Sequence, residues 1–113
     1  MIADAAHGEP LGLVSLRMAE RDPGLAALGY WLRPEARGRG AATAAVQLVA
    51  RWAFDELGVQ RLELTTAPEN VASQRVAERA GFTREGVLRG LVATKDNGRQ
   101  DTVLFSLLPA DLS

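Results

Sequence analysis

The most informative part of the chain is Leu28-Gly29-Tyr30-Trp31-Leu32-Arg33-Pro34-Glu35-Ala36-Arg37-Gly38-Arg39-Gly40-Ala41-Ala42-Thr43. An apolar, strand-like run over 28–32 leads into a turn with two glycines, and an amphipathic helix begins near Ala42. Because glycine has no Cβ, backbone N–H groups at Gly38 and Gly40 can approach an anion closely. The free N–H groups and the dipole of the first helical turn favour negative charge at the same place. The order of strand, glycine turn and helix therefore predicts a phosphate-binding cradle.

The chemistry of this turn is only partly specified by its own residues. Arg37 and Arg39 add two positive charges, in a chain whose net charge is −1. The turn is not a P-loop, since no Lys-Ser or Lys-Thr pair follows Gly40. It also lacks the third glycine of the dinucleotide-binding fingerprint. Many glycine turns before helices bind nothing, so the interpretation as a pyrophosphate site depends on a second segment further along the chain.

The composition excludes several classes of protein. The chain has 113 residues, 47% of them apolar and 24% charged, which predicts a single globular domain over residues 1–113. It contains no cysteine and one histidine, His7, so we expect no disulfide, no thiolate nucleophile and no metal site. We find no signal peptide and no apolar stretch near the roughly 20 residues that span a bilayer. We therefore expect a cytoplasmic protein with no membrane partner, and the balanced charge predicts no nucleic-acid partner.

Hydrophobic periodicity predicts an α/β fold with a mixed sheet. Strands are expected over 2–6, 11–18, 25–32, 61–67, 82–92 and 102–108, with a hairpin turn at Asn97-Gly98. Helices are expected over 42–57 and 71–80, and Gly58 and Gly81 are expected to end them. The apolar stripe of the first helix is expected to run as far as Leu57. The order strand, helix, strand predicts parallel pairing between residues 28–32 and 61–67.

The second informative segment is Asn70-Val71-Ala72-Ser73-Gln74-Arg75-Val76-Ala77-Glu78-Arg79-Ala80-Gly81-Phe82. Taken alone, it is typical of an amphipathic helix that Asn70 caps and a glycine ends. Taken with Arg37-x-x-Gly40-x-Ala42, it resembles the GNAT superfamily of acyl-CoA-dependent N-acetyltransferases. The pattern Asn70-x-x-Ser73, followed by Gly81-Phe82 and Glu85-Gly86, is similar to the branch that acetylates the N-termini of ribosomal proteins. The resemblance covers roughly residues 8–108 and implies the acyl-CoA N-acyltransferase fold.

The resemblance implies a co-substrate, acetyl-CoA, and a role for each matching residue. The implied pyrophosphate contacts are Arg37, Gly38, Arg39, Gly40, Ala41, Ala42 and Thr43. Leu32 would lie beside the pantetheine arm, where a splayed strand pair leaves backbone groups free, and Asn70 would contact the same arm. Ser73 would approach the sulfur and protonate the departing thiolate. The implied reaction is direct attack on the thioester by a primary amine of a protein N-terminus or a small molecule.

The sequence departs from the family pattern at its beginning. Family members carry a first strand and two helices ahead of the strand that we expect over 2–6. Those helices wall the acceptor side, so we expect acyl-CoA binding to be retained and the acceptor site to be incomplete. A truncation, a misassigned start and a natural minimal form are all compatible with this pattern. We also expect exposed apolar surface that a second subunit covers, and hence a homodimer.

The acid and the base are less well specified than the cradle. Many relatives place a tyrosine seven residues after the asparagine, where this chain has Ala77, so Ser73 is the candidate acid. The ribosomal-protein branch can place a carboxylate where this chain has Val92. The sequence does not identify a base: Glu63 is a candidate because it could face the cleft from its strand, and Glu85 is a second candidate. Water could also carry the proton from an amine of modest pKa. For both glutamates, a solvated or ion-paired strand carboxylate is the competing interpretation.

Two functions from different classes follow from the sequence. The first is an N-acetyltransferase that uses acetyl-CoA and an amine acceptor. The second is a non-catalytic acyl-CoA-binding module that kept the cofactor half and lost the acceptor half. Both bind acetyl-CoA, and only the first releases free CoA when an amine is present.

Overall fold

The computed structural model describes residues 2–3, 10–32 and 40–112. Its strands and helices follow in the order β1 (Ile2–Ala3), β2 (Pro10–Met18), β3 (Leu25–Leu32), α1 (Ala41–Glu56), β4 (Arg61–Thr66), α2 (Val71–Arg79), β5 (Thr83–Ala93), β6 (Arg99–Leu107) and a short 3₁₀ helix (Pro109–Leu112). The six strands form one sheet in the order β1-β2-β3-β4-β6-β5. Among the described strands, β3 and β4 are the only neighbours that pair in parallel, and the other neighbours are antiparallel. The predicted mixed α/β sheet with two helices is confirmed.

Most predicted elements are present with bounds shifted by a few residues. The first strand, predicted over 2–6, is described at Ile2–Ala3, and residues 4–9 lie outside the described part of the chain. The β5–β6 hairpin is longer than predicted, because β6 begins at Arg99 and not at residue 102. Its Asn97-Gly98 turn is confirmed: the Thr94 N–H donates to the Gly98 carbonyl at 3.0 Å, and Asn97 has a φ of 63°.

The parallel pairing lies nearer the start of β3 than the sequence predicts. The structure pairs Leu25 with Arg61 and Ala27 with Glu63, whereas pairing was expected between 28–32 and 61–67. The carbonyl of Gly24, just before β3, accepts from the N–H groups of Gln60 at 2.7 Å and Arg61 at 3.0 Å, which anchors this register. Beyond Ala27 and Glu63 the described strands no longer pair with each other. We call the gap between residues 28–32 of β3 and 64–66 of β4 the cleft.

The hydrophobic core lies between the sheet and the two helices. Its buried members alternate along β3, β4 and β6 and recur along α1, as the periodicity predicts. The core consists of Ala26, Leu28, Val46, Ala50, Ala53, Val59, Leu62, Leu64, Ala77, Ala80, Phe82, Val103, Phe105 and Leu107. Leu57 is an exception, since it is 41% exposed and caps the end of α1. Gly58, with a φ of 70°, follows it in the left-handed conformation that ends a helix and turns the chain away from the α1 stripe.

The other face of the sheet carries residues that alternate with the core positions, and we call it the open face. Within the described ranges, both helices pack on the opposite side, and only strands form this face. Leu13 of β2 and Leu88 of β5 lie on it and are 48% and 39% exposed. This agrees with the expected exposed apolar surface. No described helix is long and apolar enough to cross a bilayer.

Candidate functional site

The N-terminus of α1 forms one end of the candidate site. Gly40 is its N-cap, is exposed and has a φ of 72°, a conformation that favours glycine. A Cβ placed there meets no described atom within 4 Å. The first bond of the helix runs from the Ala44 N–H to the Gly40 carbonyl at 3.1 Å, so the N–H groups of residues 41–43 have no acceptor inside the helix. Among the described residues no side chain caps this end, and the first turn contains no acidic residue. These features of the described residues suit the binding of an anion.

The rest of the predicted cradle lies outside the described residues. This applies to Arg37, Gly38 and Arg39, whose contribution stays a prediction. Leu32 is the last residue of β3, and its backbone pairs with Gly12 of β2. The described end of β3 and the start of α1 therefore flank the predicted arginine turn.

The cleft presents unpaired strand edges. The outer edge of β3 pairs with β2 as far as Leu32, and the outer edge of β4 pairs with β6 as far as Thr66. The inner edges of these two segments face each other, and the parallel pairing that the described strands make there stops at Glu63. Backbone N–H and C=O groups need partners. The cleft therefore suits an extended ligand that carries amide groups, as the pantetheine arm of CoA does.

Asn70 and Ser73 lie at the carboxyl end of β4, next to the cleft. Asn70 is the N-cap of α2, as predicted: its Oδ1 accepts from the Ser73 N–H at 3.1 Å. This bond uses the amide oxygen and leaves the amide NH₂ group for another partner. Ser73 is only 9% exposed, and the bond that it donates to Asn70 comes from its backbone N–H and does not use its hydroxyl. The cap thus leaves the hydroxyl available to a ligand.

Glu63 lies on the open face, in an ion-paired cluster. The Arg61 guanidinium donates to Glu63 Oε2 from Nη2 at 2.9 Å and to Glu85 Oε2 from Nη1 at 3.0 Å. The Ser106 hydroxyl also donates to Glu85. These hydrogen bonds, from Arg61 first and Ser106 second, lower the pKa of Glu85. The pKa of Arg61 is raised, chiefly by its hydrogen bond to Glu85 and then by that to Glu63.

The structure does not bring the two predicted catalytic side chains together. Leu62 and Leu64, on either side of Glu63, are buried in the core with Ala77 of α2. Because side chains alternate along a strand, Glu63 points to the opposite face of the sheet from α2 and Ser73. Glu63 and Glu85 are both paired with Arg61, which agrees with the interpretation of these residues as ion-paired strand carboxylates.

Substitution of Glu85 by glutamine is expected to reduce the acid sensitivity of the fold. The pKa of Glu85 is below its ordinary value of 4.5 in the folded chain, so its stabilising effect is present above that pH. The effect is lost as the pH falls through the lower folded pKa. Thermal unfolding of wild type and Glu85→Gln, from neutral pH to about pH 3, measures this. The midpoint should fall less with acid in the variant, and equal slopes would contradict the assignment. Glu56→Gln, an exposed carboxylate on α1, controls for the loss of one charge.

Thr66 belongs to the cleft, although the sequence analysis did not single it out. It is the last residue of β4, lies beyond the last pair with β3, and is 9% exposed on the helix side of the sheet. The available signal was its place in the alternation with Leu62 and Leu64. A hydroxyl at a position where the pattern calls for an apolar residue indicates a polar lining.

Comparison with known proteins places these features in a family. The model of the Acetyltransferase (GNAT) domain matches residues 1–83. "Probable N-acetyltransferase YjcK" of Bacillus subtilis is 38% identical over 111 residues, which are 97% of this chain and 61% of that protein. "Putative ribosomal N-acetyltransferase YdaF" of the same organism is 38% identical over 103 residues, 89% of this chain and 55% of that one.

A solved structure shares both the fold and part of the sequence. Mycobacterium smegmatis RimJ, in complex with CoA-disulfide, superimposes with a TM-score of 0.83 at 29% identity. The match covers 94% of this chain and 51% of RimJ. The chain thus spans between half and two thirds of the length of these three proteins. It belongs to the GNAT family of acetyltransferases and is related to the ribosomal-protein acetyltransferases within it.

Proposed function

We propose that this chain binds acetyl-CoA and transfers the acetyl group to a primary amine, on a protein N-terminus or on a small molecule. The observation that carries the proposal is the cleft between β3 and β4. It places unpaired strand edges between the open N-terminus of α1 and the capped N-terminus of α2. Family membership and the CoA-disulfide complex of RimJ support the same co-substrate.

The proposal assigns each part of acetyl-CoA to a part of the site, and all but the arginine turn lie within the described residues. The N–H groups of Ala41, Ala42 and Thr43, with Gly40 beside them, would hold the pyrophosphate. Arg37 and Arg39 would supply the compensating positive charge. Residues 28–32 and the Asn70 side chain would bind the amide groups of the pantetheine arm. Ser73, in the first turn of α2, would contact the sulfur.

Acetyl-CoA, when bound, supplies an acetyl group already activated as a thioester. The chain then has to orient the amine, donate a hydrogen bond at the sulfur and accept the proton of the amine. Ser73 is the proposed donor; because a hydroxyl is a weak acid, hydrogen bonding is its main contribution. Glu63, at the closed end of the cleft, is the proposed acceptor of the proton. Arg61 holds its carboxylate on the open face, so the proton would reach it through water.

The Ser73→Ala variant is expected to lower kcat by about tenfold or more, with little change in acetyl-CoA affinity. The hydroxyl acts on the leaving sulfur during the reaction and contributes less to ground-state binding. Steady-state kinetics and a calorimetric Kd for acetyl-CoA separate the two effects. An equal loss in kcat and affinity would assign Ser73 to binding and not to catalysis.

Turnover is measured most simply as release of free CoA. Because the chain contains no cysteine, a thiol reagent reports only the CoA thiol. Acetyl-CoA is incubated with the chain and with peptides that carry free N-termini, followed by small primary amines. The proposal expects amine-dependent thiol release. Binding of acetyl-CoA with no thiol release for any amine would contradict transferase activity.

A non-catalytic acyl-CoA-binding module is the alternative. The observation that favours it is the placement of Glu63, which is ion-paired with Arg61 and lies across the sheet from Ser73. This alternative expects the same affinity for acetyl-CoA and no turnover. The thiol-release experiment therefore decides between the two functions.

The assembly and the compartment complete the proposal. A single domain over residues 1–113 is supported by the one hydrophobic core that both helices share with the sheet. A homodimer is proposed from the exposed apolar residues of the open face, such as Leu13. Use of acetyl-CoA supports the cytoplasm as the compartment.

A further inference from the structure

The loop between β4 and α2, residues 67–70, is held by side chains from outside it. Nε2 of Gln74, in the first turns of α2, donates to the Pro68 carbonyl at 2.7 Å, six residues back along the chain. Within the loop, the Asn70 N–H donates to the Ala67 carbonyl at 3.0 Å. The half-buried amide of Gln74 therefore folds the loop back against the helix that follows it.

The side chain of Gln74 is in turn held by a hydrogen bond from the sheet. Nη1 of Arg84, on β5, donates to Gln74 Oε1 at 3.3 Å, so a single amide accepts from the sheet and donates to the loop. A second connection to the sheet comes from β6, where Gln100 Nε2 donates a hydrogen bond to Glu69 Oε1 at 2.9 Å. These hydrogen bonds connect the loop to both strands of the β5–β6 hairpin: Pro68 through Gln74 to β5, and Glu69 directly to β6.

This loop sets the position of the two residues that would meet the reactive end of acetyl-CoA. Asn70 ends the loop, and its cap to the Ser73 N–H transmits the loop's position to the first turn of α2. In an acyl-transfer site the reacting groups must be held in place closely, because a displacement of about 1 Å already lowers the rate strongly. We propose that Gln74 is a positioning residue that holds Asn70 and Ser73 against the pantetheine arm. This inference rests on the proposed function.

The test compares three variants with the wild-type chain. Gln74→Ala removes both bonds of the amide. Gln74→Glu keeps the side-chain length and the acceptor for Arg84, loses the donor to Pro68, and places a negative charge near a helix N-terminus, which favours folding. Gln47→Ala is the matched control, because the Gln47 amide donates to the Ala80 carbonyl at the other end of α2, at 3.5 Å.

Calorimetric titration with acetyl-CoA is expected to give a Kd at least about fivefold weaker in both Gln74 variants, the effect of losing one hydrogen bond. Gln47→Ala should stay within about twofold of wild type. Amide hydrogen exchange without ligand should be faster at residues 67–73 in the Gln74 variants and unchanged there in Gln47→Ala. Wild-type affinity in Gln74→Glu, or an equal loss in Gln47→Ala, would overturn the positioning role and leave the proposed function standing. Absence of binding by the wild-type chain would overturn both.

Discussion

Replacement of Gly40 by leucine is expected to abolish measurable acetyl-CoA binding while the sheet stays folded. Gly40 has a φ of 72°, and a residue with a Cβ pays roughly 1–2 kcal/mol to adopt it. The new side chain also enters the space beside the free N–H groups of residues 41–43. Loss of two charge-assisted hydrogen bonds, at roughly 1.5–3 kcal/mol each, weakens binding by about a hundredfold or more.

Gly58 offers a matched control at the other end of the same helix. It is exposed, has a φ of 70°, and a Cβ there also meets no described atom within 4 Å. Gly58→Leu should therefore cost similar stability and leave acetyl-CoA affinity unchanged. Calorimetric titration and thermal unfolding of both variants separate the two effects. Wild-type affinity in Gly40→Leu would show that the N-terminus of α1 does not hold the ligand.

Replacement of Phe105 by alanine is expected to cost about 3–5 kcal/mol in the free energy of unfolding. Phe105 is fully buried in β6, where its backbone pairs with Leu64 on one side and Arg84 on the other. Truncation leaves a cavity between the central strands and the helices, and the surrounding side chains relax only partly into it. Because small domains are stable by roughly 5–15 kcal/mol, the loss is a large share of the total.

Urea unfolding followed by circular dichroism measures this loss. Leu108→Ala, just beyond the same strand and 45% exposed, is the control and should stay within about 0.5 kcal/mol of wild type. A loss of less than about 1 kcal/mol in Phe105→Ala would mean that the side chain is not enclosed by the core.

The local elements could be predicted from the sequence because their signals lie within a few residues of each other. Alternation around Leu62 and Leu64 predicts β4, and Asn70 followed by an apolar period predicts a capped helix. The turn before α1 follows from the two glycines between an apolar strand and an amphipathic helix, whereas the left-handed conformation of Gly40 is a finding of the structure. Each of the predicted elements depends on backbone preferences that short windows reveal.

The register of the parallel pair could not be predicted in the same way. It depends on the carbonyl of Gly24, which accepts from Gln60 and Arg61 across a separation of more than thirty residues. No periodicity within either strand encodes that contact, so the pairing was placed three residues too far along β3. The correction matters for function, because residues 28–32 line the cleft and are not paired with β4.

The interactions around the site are also non-local. The Arg61 cluster joins three strands, and its bond to Glu85 links residues 24 apart in sequence. The Gln74 amide meets Arg84 only because α2 packs beside β5. The sequence placed Glu63 near the cleft and allowed an ion pair there, but it did not identify Arg61 as the partner that holds the carboxylate on the open face.

Calorimetric titration of the wild-type chain with acetyl-CoA is the most direct test of the cleft as an acyl-CoA site. The cleft between β3 and β4 and the open N-terminus of α1 predict saturable binding of one acetyl-CoA per chain. Absence of saturable heat at about millimolar ligand, where binding would be worth less than roughly 4 kcal/mol, would contradict the assignment of this cleft as an acyl-CoA site.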